Sequence, residues 1–272
     1  MPVIRYSAPL QVLVAVRGHP FDRTRFDAVF QAMEGIAATM VDQPAAARLM
    51  NPAGMRGFDA LVLYDMPGLD FTVTAGAPRV VPPDPEFVAG FEALLSAGTG
   101  VVALHHALAG WPAWPGYADH LGGTFLYRPA MVRGQSRIDS GYAPAVDYEA
   151  RVVADHPVTR RVPSRFRIRD ELYLAEIFEA DVTPLLRAEV PFTRERFYSA
   201  SAAVAGRMHH NEGWDHPPGS NLIGWTRRAI RSPLVYLQPG DGPDAYDNPH
   251  VRLLIEDAIR WAASAEARLP GR

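Results

Sequence analysis

The sequence predicts an α/β fold built on a doubly wound, mostly parallel sheet. Three short apolar runs carry that prediction: Leu10–Val16 (LQVLVAV), Ala60–Tyr64 (ALVLY) and Gly100–Leu104 (GVVAL). They do not alternate polar with apolar residues, which is the pattern of strands buried on both faces. Amphipathic stretches at helical spacing separate them, and strand–helix–strand alternation is the signature of a parallel sheet covered by helices.

The elements follow in order. Leu10–Val16 forms the first strand, with Arg17, Gly18, His19 and Pro20 as its carboxyl-end loop. Thr24 is placed to cap a helix whose apolar stripe is Phe26, Val29, Phe30 and Met33. Ile36–Val41 reads as the second strand and Ala60–Tyr64 as the third, ending at Asp65. A proline-rich loop, Pro78–Pro85, leads to a helix over Glu86–Ser96, which Gly98 and Gly100 end before the next strand. Right-handed crossovers then bring Arg17, His19, Asp65, His105 and His106 to one carboxyl edge of the sheet.

The second half changes character. Tyr148–Ala154 and Phe166–Arg169 read as strands, and the Asp155-His156-Pro157 turn between them makes His156 a turn residue. Leu185–Val190, Ile223–Trp225 and Pro233–Gln238 follow, with a polar segment, Met208–Ser220, that carries His209, His210 and His216. A last helix over Pro249–Ser264 has Val251, Leu254, Ile255, Ile259 and Trp261 on its apolar side. No repeat or linker divides the 272 residues, so the organisation expected is one domain over 1–272. Its parallel core covers about 8–130, a C-terminal elaboration about 131–248 and a closing helix about 249–264.

Composition narrows the function. A net charge of −3 gives no electrostatic footprint for nucleic acid or an anionic membrane. There is no cysteine, which rules out disulfides, thiolate metal sites and a thiol nucleophile, and fits a reducing compartment. The Met1–Tyr6 start lacks the basic-then-apolar pattern of a signal peptide, so a cytoplasmic protein is expected. No Gly-x-Gly-x-x-Gly follows the first strand and no phosphate-binding P-loop is present, so no nucleotide is expected.

The most informative stretch is the strand ending in His105-His106. Ligands of open α/β sheets bind beyond the carboxyl ends of the strands, and two imidazoles there offer acid–base or metal-binding chemistry. Adjacent residues diverge at a strand end, so one imidazole is expected to face the pocket and the other to bond the backbone. The expected pocket residue is His105. Asp170 and Glu171 supply neighbouring carboxylates able to divide acid and base roles, or a helix cap and an arginine partner. Tyr173 adds a hydroxyl. His105, His106 and Glu171 together make an N/O set suited to zinc, manganese or iron. His209 and His210 belong either to a lid or to a solvated loop.

The order of motifs resembles the ThuA-like (trehalose utilisation) family over nearly the whole chain. It comprises Leu104-His105-His106, Leu121-Gly122-Gly123-Thr124-Phe125, Asp155-His156-Pro157-Val158-Thr159, Asp170-Glu171-Leu172-Tyr173, Gly224-Trp225-Thr226-Arg227, Leu234-Val235-Tyr236 and Asn248-Pro249. The resemblance implies a flavodoxin-like three-layer sandwich of the class I glutamine amidotransferase kind. In those amidotransferases a cysteine occupies the turn held here by His105-His106, so thiolate amidotransferase chemistry is excluded. The family tends to carry Gly-His after its last aromatic strand. This chain has Pro239-Gly240-Asp241 instead, and Asp241 offers a carboxylate to a metal or a sugar hydroxyl.

What the resemblance implies for function is carbohydrate metabolism with a small sugar or keto-sugar substrate. The expected pocket joins His19, Asp65, His105, His106, Trp111, Asp170, Glu171 and Tyr173, with Trp111 free to stack on a sugar ring. Two alternatives stay open. One is an enzyme in which a histidine is the general base and Asp170 or Glu171 the acid or metal ligand, giving elimination, isomerisation or hydrolysis. The other is a non-catalytic sugar-binding or regulatory module on the same scaffold. Self-association as a homo-oligomer is compatible with either.

Overall fold

The computed structural model describes residues 7–72 and 78–269. The N-terminal residues Met1–Tyr6, inspected for a leader, lie outside the described residues. Five strands make the parallel part: β1 (Leu10–Arg17), β2 (Ile36–Asp42), β3 (Ala60–Asp65), β4 (Gly100–Leu104) and, from the far end of the chain, β9 (Ser232–Leu237). The rest are antiparallel: β5 (Gly141–Val152), β6 (Arg165–Leu174), β7 (Thr183–Ala188) and β8 (Leu222–Ala229). The strand order is β6-β5-β7-β8-β9-β4-β3-β1-β2, so one mixed sheet runs through both halves of the chain. A two-residue strand, Tyr198–Ser199, also pairs with β5.

Period-two alternation of the strands builds two apolar layers. Val12, Val14 and Val16 of β1 pack with α1 (Arg23–Gln31) and the closing helix α4 (Pro249–Ala263), which contributes Val251, Leu254, Ile255 and Ile259. Leu13, Ala15, Leu61, Leu63, Val101 and Ala103 face α2 (Pro85–Ser96) and α3 (Pro115–Leu121) on the other side. Helix, sheet and helix form the three-layer α/β sandwich expected.

Differences from the sequence expectation are local. The cap of α1 is Asp22, not Thr24: its carboxylate accepts from the Arg25 backbone N–H at 3.0 Å. Met33 lies beyond the end of α1 yet stays buried. The Phe166–Arg169 strand continues to Leu174, so Asp170, Glu171 and Tyr173 lie within a strand. Among the described residues no helix is long and apolar enough to cross a membrane.

Candidate functional site

The site forms where three carboxyl-end loops of the parallel strands meet β6. Strand β4 ends at Leu104, and His105 turns the chain with φ +42° into a 3-10 turn, His105–Ala109. A non-glycine residue in that region is strained, and such strain clusters at functional sites. After β1, Gly18 takes φ +106°, where an added Cβ would come within 2.4 Å of the Met66 carbonyl oxygen. Only glycine lets the His19 loop lie this close to the loop after β3.

Both strand-end histidines are fully buried and their rings stand 88° apart, 5.5 Å between centroids. His105 Nδ1 is 2.6 Å from the Gln238 carbonyl oxygen, which only accepts, so Nδ1 carries a proton. Its Nε2 faces two carboxylates, Glu171 at 3.2 Å and Asp241 at 3.4 Å. Burial opposes a charge on His105, but the hydrogen bonds to Asp241 and Glu171 outweigh it and hold the imidazole well above its usual pKa. Asp241 answers in kind: burial raises it, the bond to His105 lowers it further, and it settles at about 2.

His106 points the other way. Its Nε2 lies 3.1 Å from the Tyr64 carbonyl oxygen and its ring packs on Tyr64 and on His19. Burial, reinforced by His105 and His19, keeps His106 neutral, well below its usual pKa.

Strand β6 sets the carboxylates. Between Leu172 and Asp170 the pairing on β5 slips from Ala143 to Val146, so Glu171 sits opposite a bulge in which Ala145 has φ +53°. Bulges of this kind re-aim side chains beside active sites. Asp170 points to the other face and is buried. It accepts from the backbone N–H groups of Gly240 at 2.6 Å and Asp241 at 3.2 Å, pinning the loop that presents Asp241. Burial drives its pKa up to about 7 despite the nearby His105 charge. The Tyr64 hydroxyl donates to the Gly240 carbonyl at 2.8 Å, and Tyr246 donates to that of Asp241 at 3.0 Å.

A cavity of about 380 Å³ opens over this cluster. His19, Glu171, Tyr127, Tyr142, Tyr173 and Phe125 are on its wall, and exposed Phe71 and Met208 stand at it too. Neither His105 nor His106 lines it; each backs a residue that does, His105 behind Glu171 and His106 behind His19. A cleft of about 460 Å³ elsewhere, lined by Pro44, Asn51, Asp84 and Phe87, holds no histidine, and Asp84 is already the cap of α2.

Of the remaining sequence candidates, Asp65, Trp111, His209 and His210 fall outside the cavity. Asp65 is buried beneath Gln43, whose amide donates to it at 2.6 Å. Trp111 packs on Phe87 with ring centroids 5.0 Å apart, so it is not free to stack on a ligand. A backbone bond to the Pro67 carbonyl and φ +47° turn it that way. His209 rests on Tyr198 and Tyr142, and the His210 carbonyl accepts from Ser199, so neither ring lines the cavity; their neighbour Met208 does. Tyr173 lines it while packing on His105 at 4.5 Å. Asp241 stood outside the pocket expected from sequence. Its only signal there was the departure from the expected Gly-His.

These features define a class: an α/β protein of the glutamine amidotransferase-like fold, with histidine rather than cysteine on the turn after the central strand. The family model for trehalose utilisation, ThuA, matches residues 12–262, and the chain belongs to that family. A protein described as ThuA-like from Parabacteroides merdae superposes with a TM-score of 0.63 at 14% identity, covering 94% of this chain and 90% of that one. Another from Bacteroides uniformis gives 0.63 at 17% identity, covering 96% and 95%. A protein described as part of a GMP synthase, from Thermoplasma acidophilum, shares the fold at 0.50 and 10% identity, covering 92% of each chain. No curated protein matches the sequence significantly.

Proposed function

We propose that the protein is a carbohydrate-processing enzyme that moves a proton at the carbon beside a ketone of a sugar. The observation that carries this reading is Glu171, a carboxylate on the cavity wall held 3.2 Å from a buried histidine. Glu171 is the group that meets the substrate. His105 acts through it as a positioning residue, a different division of labour from the histidine base that the sequence led us to expect.

The chemistry follows from that placement. The Glu171 carboxylate takes the proton from the α-carbon, and the C–H electron pair moves into an enolate whose charge develops on the carbonyl oxygen. His19 and the phenol groups of the wall are the polar partners for that oxygen. Transfer of the α-hydroxyl proton to the enolate oxygen, followed by return of the carbon-bound proton to the former carbonyl carbon, gives isomerisation. Expulsion of a β-substituent with its electron pair, as the enolate collapses to a ketone with an α,β double bond, gives elimination. The family's name, trehalose utilisation, supports a sugar substrate. A wall that mixes Phe125 and Tyr173 with polar groups suits the apolar and hydroxyl faces of a sugar ring. The absence of cysteine supports a cytoplasmic setting for this work.

The test is proton exchange. Incubated with a keto-sugar in D2O, the wild-type chain should incorporate deuterium at the carbon beside the carbonyl, followed by NMR. Glu171→Gln should slow this by ~10²–10⁴-fold, the range of a general base. A bound keto-sugar whose α-proton never exchanges would overturn the enzyme and leave a sugar-binding module.

A further inference from the structure

We propose that His19, His106 and Asp241 form a binding site for one divalent first-row transition-metal ion at the edge of the cavity. One potential ligand atom from each lies within 4.8 Å of the others. Ligands held ~2.0–2.2 Å from a single ion need separations of this order, and His19 and Asp241 are partly exposed and able to adjust.

The second observation is a pair of orphaned nitrogens. His106 Nε2 is matched to the Tyr64 carbonyl, which leaves Nδ1 as the unprotonated nitrogen, and that atom is buried with no partner. His19 Nδ1 is buried without a partner as well. Buried polar atoms are almost always satisfied, so two on rings in contact need a partner. The arrangement of His106 is that of a metal-bound imidazole, one nitrogen fixed by a backbone carbonyl and the other turned inward. Asp241 fits the same scheme. Its carboxylate is steadied by His105, and its backbone N–H by Asp170.

The neighbouring set, His105 with Glu171 and Asp241, is the weaker choice for the ion. There Nε2 already has two carboxylate partners, so the geometry leaves nothing unsatisfied. Two imidazoles and one carboxylate select zinc, manganese, iron(II) or cobalt over magnesium and calcium, which take all-oxygen sets. They also leave coordination positions open. Because His19 is on the cavity wall, an ion held by it would lie beside the space assigned to the keto-sugar, where a metal ion can polarise a carbonyl oxygen.

Metal binding is read without any substrate, so this site and the keto-sugar chemistry fail separately. The chain, stripped with chelator, is titrated with Zn²⁺ and Mn²⁺ by calorimetry and with Co²⁺ by visible absorption. One equivalent should bind, with a cobalt spectrum showing nitrogen ligation. His19→Ala and Asp241→Asn, both at partly exposed positions, should each weaken binding by ~100-fold or more, with circular dichroism unchanged. His156→Gln, at a distant turn, should bind as wild type. Absence of a bound equivalent would overturn the proposal. So would wild-type affinity in both ligand variants, or affinity that falls in His105→Ala and Glu171→Gln but not in His19→Ala.

Discussion

The parallel and antiparallel halves of the sheet contribute different chemistry. From the parallel half come the imidazoles, His19 after β1 and the His105-His106 pair after β4. The antiparallel half supplies Glu171 and Asp170 from β6. Asp241 lies in the loop after β9, the strand where the two halves join. Neither half holds a working set. The parallel edge offers histidines without a carboxylate on the cavity wall, and β6 offers carboxylates without an imidazole. On the proposed function, an amidotransferase-like scaffold without a cysteine keeps acid–base groups near the same turn, because the carboxylates arrive from the appended strands.

Burial also decided what was legible in the sequence. Strands β1, β3 and β4 are buried on both faces over most of their length, so nearly all their side chains had to be apolar and their boundaries were nearly right. In β6 one face is wet, with Arg165, Arg167 and Arg169 exposed, and its polar residues hid the carboxyl end of the strand. The His105-His106 pair was visible because it closes an apolar run. Asp241 was hidden because its place depends on Asp170, Tyr64 and Tyr246, residues 71, 177 and 5 positions away. Trp111 misled for a similar reason: it was read as free to stack on a sugar ring, and only the contact with Phe87 on α2 shows it is packed.

If the parallel edge is the rigid base of the site, its buried histidine should be costly to remove. His106→Ala deletes a fully buried ring packed on Tyr64 and leaves the Tyr64 carbonyl short of a donor. Chemical denaturation in the presence of chelator should show a loss of about 3–4 kcal/mol. A variant as stable as wild type would mean the parallel edge tolerates rearrangement.

A smaller effect is expected at Asp65, on the same edge but away from the cavity. Burial pushes its pKa up to about 6, with the Gln43 bond opposing only in part. A carboxyl group whose folded pKa is raised favours folding while protonated. Its contribution is full below about pH 4 and is lost as pH rises through about 6. Replacing it with an uncharged isostere removes that loss. Asp65→Asn should be more stable than wild type at pH 8, by at most about 3 kcal/mol for a shift near two units, and equal to it at pH 4. Equal stability of the two proteins at both pH values would show that Asp65 is charged at no cost, and so is solvated or paired.

An imidazole of one half, His19, and a carboxylate of the other, Glu171, meet on the wall of one cavity. A crystal structure of Glu171→Gln with a bound keto-sugar tests that wall as the reaction site most directly. The ligand should occupy the cavity of about 380 Å³, with the carbon beside its carbonyl ~3–3.5 Å from the substituted carboxamide, a reactive distance. A sugar seated instead in the cleft lined by Pro44, Asn51 and Phe87 would contradict the account.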